Sequence, residues 1–204
     1  MTISADRADI TTNIAPLMVA IGNTSLHVTP EQFDTLCIHN PDLRLELSPK
    51  GELIVMPPTG GETGERNINL AAQVYNWNES TELGHAFDSS TGYDFTPLGG
   101  GKLSPDVSWI EKSRLEGVDI SGFIPIVPDL AIELRSKTDS LSDIQAKMKE
   151  YQRLGVKLGL LINPQGKTVE IYPAGTEVQV LESPMSIDCS SVMPNFILNL
   201  NKIW

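Results

Sequence analysis

Between residues 43 and 56, apolar and polar residues alternate on both sides of a Pro-Lys-Gly turn, in LRLELSPKGELIVM. That alternation predicts a β-hairpin. Just upstream, TPEQF places Thr29 as an N-cap and Pro30 at the first position of a helix. The Pro/Gly-rich loop PPTGGETGE leads into ETGERNINLAAQVYNW, where Ile68, Ala71, Val74 and Tyr75 recur at helical spacing. Short strands are expected around HAFDS and GYDFT, then a Gly-rich turn in PLGGGK, then a strand in SPDVSWI at 104–110. In DLAIELRS, Leu130, Ile132 and Leu134 alternate with Ala131, Glu133 and Arg135, the period of a strand with two distinct faces. SLSD reads as a capping box with Ser140 as N-cap and Asp143 three residues on. It opens a helix that runs to Leu154 and is ended by Gly155. KLGLLINPQGKTVEIYP then reads as strand, turn, strand. The sum is an α/β fold.

Length and composition narrow the class. At 204 residues the chain fits one domain with a sizeable core. Residues 1–28 are weakly patterned, 30–175 carry the periodic elements and 176–204 read as a C-terminal extension. No apolar run is long enough for a membrane span, and the first residues lack a basic region followed by an apolar core, so no leader is expected. Cys37 and Cys189 lie far apart with no metal-binding spacing, which suits a reduced, cytoplasmic protein. The net charge of −11 argues against non-specific coating of nucleic acid, whose phosphates are bound mainly by Lys and Arg. Six of the fifteen basic residues nevertheless fall between 135 and 157, a district compatible with a local phosphate-facing site or with an ordinary solvated helix.

Three charged residues sit where charge is costly. At roughly 100° per residue, Leu141, Ile144, Met148, Tyr151 and Leu154 mark the buried stripe of their helix, and Lys147 falls inside it. An ammonium there needs a carboxylate or must snorkel out. Glu133 lies within a strand apolar enough to be central, and wants a cation: Arg135, Lys147 or a metal. Asp106 opens another strand and shares its face with Ser108 and Ile110. Two convergent carboxylates are ligands for Mg²⁺ or Mn²⁺, which take oxygen donors and keep water positions open. A bound ion of this kind acidifies water and stabilises charge on a phosphoryl oxygen, and a nearby ammonium can orient that water or offset the charge.

With these residues in view, the chain resembles the PD-(D/E)XK nuclease superfamily and, within it, the Uma-two family of restriction-endonuclease-like proteins. The resemblance covers about residues 30–175 and rests on SPDVSWI, on PDLAIELRSKTDSLSDIQAKMKEYQRLGV and on GLLINP. It matches Asp106, Glu133, Ser136, Lys147, Tyr151, Gly155 and Val156 to the family pattern. It implies a restriction-endonuclease-like core, a mixed β-sheet flanked by α-helices with an added N-terminal hairpin, and Asp106 and Glu133 as metal ligands. The superfamily's usual lysine two residues after the Glu is here Arg135, whose guanidinium stays protonated and cannot act as a base. The resemblance moves the lysine to the helix, where the rotation argument had already placed Lys147.

Further candidates are Glu62 and Glu65, in the first turns of the early helix, where acids also favour the helix dipole. Asn67 falls in the apolar arc of that helix, and Tyr151 lies one turn from Lys147. The expected function is Mg²⁺-dependent (or Mn²⁺-dependent) endonucleolytic cleavage of DNA by a restriction-endonuclease-like site in a cytoplasmic homodimer. The alternatives are a catalytically idle nuclease fold kept as a binding or scaffold protein, and a glycoside hydrolase using the same carboxylates. Replacing Lys147 by Met is expected to leave the fold intact or more stable.

Overall fold

The computed structural model describes residues 25–204; the readings made on residues 1–24, weak patterning and no leader, lie outside them. Helix α1 (Pro30–His39) starts as the sequence predicts. The Thr29 hydroxyl accepts from the Gln32 N–H at 3.2 Å and the Gln32 side chain accepts from the Thr29 N–H at 2.9 Å, a closed capping box. Strands β1 (Arg44–Leu47) and β2 (Leu53–Met56) form the expected antiparallel hairpin, with Gly51 at φ +83° in its turn. After α2 (Gly61–Thr81) come β3 (Gly84–Asp88), β4 (Tyr93–Asp94), β5 (Lys102–Leu103) and β6 (Val107–Glu111). A one-turn helix α3 (Lys112–Leu115) precedes β7 (Leu130–Leu134), α4 (Leu141–Leu154), β8 (Leu158–Asn163) and β9 (Thr168–Pro173). The chain ends in β10 (Gln179–Glu182), β11 (Ser186–Asp188) and β12 (Ile197–Asn199).

The main sheet has six strands in the order β10-β9-β8-β7-β6-β3. Only the β7–β8 pair is parallel, and α4 makes the crossover between them. Every residue of β7 and of β8 is buried, as expected for central strands covered on both faces. Among the described residues no helix is long and apolar enough to cross a membrane.

One face of the sheet packs against α2. Leu70 and Val74 meet Val107, Trp109, Leu130, Ile132 and Leu134 there. The buried stripe of α2 runs through Leu70, Val74 and Asn78, so Ile68 and Tyr75, expected in it, are 66% and 54% exposed. At roughly 100° per residue they lie about 140–160° away from Leu70. A polar residue occupies the position that apolar periodicity assigns to the core. Asn78 earns that place by accepting from the Trp109 indole N–H at 2.8 Å and the Gly84 N–H at 3.1 Å. Asn78→Ala leaves both buried donors without an acceptor and should cost about 2–5 kcal/mol, read as a lower midpoint in urea with an unchanged slope.

Residues 176–204, expected as an extension, supply β10 to the main sheet and the β11–β12 hairpin to this core. Ile187, Met193, Leu198 and Ile203 are buried in it, and Gln73 of α2 exchanges two hydrogen bonds with the Asn199 backbone at 2.7 and 2.9 Å.

The opposite face carries α4, with Met148 and Tyr151 packed on Ala131, Leu161 and Tyr172. Gly155 ends α4 in the left-handed region at φ +99°, as read from the sequence. The capping box expected at its start is not formed: Ser140 is the N-cap, but its hydroxyl pairs with that of Ser142 at 2.9 Å. The N-terminal hairpin belongs to a second sheet, β2-β1-β5-β4. Gly101 lets β5 approach β1, since a Cβ there would lie 1.9 Å from the Leu47 carbonyl oxygen. That contact sets β1 against the end of the main sheet where the charged residues gather.

Candidate active site

Glu133 sits inside β7, its side chain on the Ala131 side of the sheet and therefore facing α4. Asp106 immediately precedes β6, the antiparallel neighbour of β7. Its Oδ2 accepts from the Leu134 N–H at 2.8 Å, which ties it to the strand that carries Glu133. Lys147 projects from α4 toward both strands, and its ammonium lies 2.9 Å from Glu133 Oε1. The same Nζ is 2.8 Å from Glu46 Oε1 and 3.1 Å from the Ser104 carbonyl oxygen. Two of the three N–H donors of this ammonium are thus hydrogen-bonded, and Glu133 is its second ion-pair partner. Tyr151, one turn along α4, donates its hydroxyl to Glu133 Oε1 at 3.1 Å.

Sequence reasoning missed Glu46. It occupies the polar slot between Leu45 and Leu47, where alternation alone reads as a solvent-facing position. Leu45 and Leu47 do turn toward Phe33 of α1. The other face of β1 meets α4 and the segment before β6 rather than water, and the Glu46 side chain is 4% exposed. Its Oε1 also accepts from the Ser104 N–H at 2.7 Å. A Glu in the middle of a strand with a buried lysine elsewhere in the chain was the available signal, and it does not name the partner.

The remaining candidates take other places. Arg135 does not pair with Glu133; its guanidinium donates to the Asp139 carbonyl and to Asn163 Oδ1, each at 3.2 Å. Glu62 is exposed and held by Lys137 at 2.7 Å and Arg66 at 3.7 Å. Glu65 is exposed as well, and among the described residues neither acid joins the Lys147 network. Asn67 does fall in the buried arc of α2, and its Oδ1 is sealed from solvent without a hydrogen-bond partner among the described residues.

Two carboxylates thus contact one ammonium, and the charge of Asp106 acts on the same group. Burial pushes the Glu133 carboxyl up to about 8; Lys147 opposes the rise, while Asp106 and Glu46 add to it. Burial also raises Asp106, against the Leu134 N–H and the charges of Lys147 and Arg44. Burial disfavours the Lys147 ammonium, but Glu133 and Glu46 beside it hold its pKa well above the usual lysine value. Tyr151, buried next to Glu133, stays a neutral phenol far above its ordinary range. Each acid uses one oxygen on protein donors. Among the described residues no hydrogen bond reaches Glu133 Oε2, Asp106 Oδ1 or Glu46 Oε2, and none of these oxygens is sealed from solvent. Among the described residues no three His, Cys, Asp or Glu side chains gather into a cage for an ion. The set fits a hard cation that takes one or two carboxylates and fills its remaining positions with water and substrate oxygen, as Mg²⁺ does.

Comparison with known proteins bears on this geometry. The family model of Uma2, described as "Putative restriction endonuclease", matches residues 30–201. Among solved structures, a "putative nuclease belonging to DUF820" from Anabaena variabilis aligns with a TM-score of 0.68 at 22% identity, over 78% of this chain and 88% of its own. That likeness shows a shared fold, a mixed sheet flanked by helices. No curated protein matches the chain. With the family match spanning most of its length, the chain belongs to the Uma2 family of restriction-endonuclease-like proteins.

Proposed function

We propose that the chain is a divalent-metal-dependent nuclease that hydrolyses phosphodiester bonds in DNA, with Asp106 and Glu133 as metal ligands and Lys147 as the group that positions Glu133. One observation carries the reading. Two carboxylates on one face of adjacent strands each have one oxygen fixed by the protein and one left for another partner. Mg²⁺ or Mn²⁺ bound there would supply Lewis acidity and acidify a water.

The residues of the chain do the rest. Leu134 N–H fixes the rotation of Asp106. Lys147 and Tyr151 together hold Glu133 Oε1, which leaves Oε2 as its ligand atom. Held by Glu133 and Glu46, Lys147 stays protonated, so it acts through its field and its grip on these carboxylates, and no proton transfer passes through it. Of the two roles read from sequence, orienting the water or offsetting the developing charge, this keeps the second. Free Cys37 and Cys189 agree with a reducing, cytoplasmic setting. A homodimer belongs to the same reading, and sedimentation tests it.

The test is cleavage of plasmid and linear DNA by the full chain in Mg²⁺ or Mn²⁺ and in chelator. Cleavage should require the ion and stop in chelator. Cleavage that persists in chelator contradicts the mechanism. Ion binding without any cleavage would favour an idle nuclease fold, a reading with which an ammonium paired to two buried carboxylates is also compatible.

A further inference from the structure

A cleft of about 510 Å³ opens beside the carboxylate cluster, and the two share a wall. Ser104 lines the cleft, and its backbone holds Glu46 and Lys147. Arg44 lines it too, and shares a face of β1 with Glu46 two residues on. It is the one charged side chain among the described residues that form the cleft. Its guanidinium donates to the Ser89 carbonyl across the cleft and forms no ion pair with any carboxylate among the described residues. Phe87 and Phe123 add aromatic surface, and Ser89 and Ser121 add hydroxyls.

A pocket in the range of roughly 300–1,000 Å³ takes a small-molecule-sized unit. A DNA duplex does not fit into such a space, whereas a single nucleoside drawn out of the stack does, held by ring surface and a few hydrogen bonds. The overall charge of −11 repels a polyanion. A guanidinium without a carboxylate partner at the edge of the site is therefore the group suited to capture one phosphate. We propose that this cleft is a nucleotide subsite: it takes one nucleoside of the substrate strand beside the cleaved phosphodiester, and Arg44 holds the adjoining phosphate. The inference rests on the nuclease reading and adds to it a residue that selects and places the strand.

Binding of a short, labelled, single-stranded oligothymidylate to the full chain, followed by fluorescence anisotropy in Ca²⁺ over a series of salt concentrations, tests it. Arg44→Met should weaken binding about tenfold and reduce the salt slope by about 0.7, one single-strand phosphate contact. Arg44→Lys should keep the slope while losing part of the affinity, since an ammonium cannot make the bidentate contact. Arg153→Met, which removes an exposed arginine paired with Glu150, should match the wild type. Thymidine monophosphate should displace the oligonucleotide at a concentration at least about tenfold below that of inorganic phosphate. Wild-type binding with an unchanged Arg44→Met affinity and slope, or equal displacement by inorganic phosphate, overturns the subsite and leaves the nuclease reading standing. A wild-type protein that binds no oligonucleotide and cuts no DNA overturns both.

Discussion

Lys147→Met should yield a protein that is both markedly less stable and inactive. The ammonium is the shared counter-ion of Glu46 and Glu133, whose side chains are 4% and 9% exposed. Removing one partner of a buried ion pair leaves uncompensated charge and costs about 3–5 kcal/mol, a fall in Tm of roughly 6–20 °C for a chain of this size. This reverses the expectation from sequence that methionine would be tolerated; that expectation treated Lys147 as an isolated charge and did not include Glu46. The sign of the pH dependence follows from the carboxyls. Glu133 already sits at about 8 in the fold, and losing Lys147 removes an influence that lowers it. A raised carboxyl destabilises the fold as pH rises from its ordinary value through the raised one; wild type and variant share that loss up to about pH 8, and the variant, its carboxyl higher still, goes on losing above it, so the deficit of the metal-free variant should widen above pH 8 and hold steady below it. Melting curves on both sides of that pH check it. Cleavage should fall by about 10² or more, the scale for loss of a positioned charge at a phosphoryl centre. Adding Glu46→Gln should return part of the stability without returning the activity. Arg135→Lys should rescue neither, because residue 135 is turned toward Asp139 and Asn163.

Glu133→Gln should produce the opposite combination, a stable protein with no activity. The amide oxygen can still accept from Lys147 and Tyr151, and a buried carboxyl whose ionisation is costly is gone. Tm should hold or rise by a few degrees. Cleavage should fall by at least about 10², because the ligand charge is lost while the shape is kept. Parallel melting and cleavage measurements separate the two variants: Lys147→Met loses both properties, Glu133→Gln only one. Should Glu133→Gln cut DNA at the wild-type rate, the metal-ligand role falls.

The parts of the molecule legible in the sequence are those where local rules and burial agree. Helix α4 carries an apolar stripe and a glycine stop, and β7 alternates between two apolar faces, so Lys147 and Glu133 were visible as charges on buried surfaces. Asp106 stood out because it follows a proline at a strand entrance. Glu46 was hidden because β1 has the pattern of a half-exposed hairpin strand, while tertiary packing covers its polar side with α4. The face of α2 was misread for a related reason: Asn78 is buried by virtue of two hydrogen-bond donors outside the helix, the Gly84 N–H just past it and the Trp109 indole on β6, which no periodicity contains. Strands β11 and β12 have three residues each, too short for alternation to register, and their contribution to the core emerges only from contact with α2.

The central claim, that Asp106 and Glu133 share a divalent cation, is tested most directly by titrating the full chain with Mn²⁺ and following the electron paramagnetic resonance signal of the free ion, which needs no substrate. The wild type should remove Mn²⁺ from solution saturably, and Mg²⁺ should compete. Asp106→Asn and Glu133→Gln should each weaken binding at least about tenfold, while Glu62→Gln and Glu65→Gln should not. Saturable binding that both Asp106→Asn and Glu133→Gln leave intact, or a wild-type protein that takes up no Mn²⁺, would contradict the account.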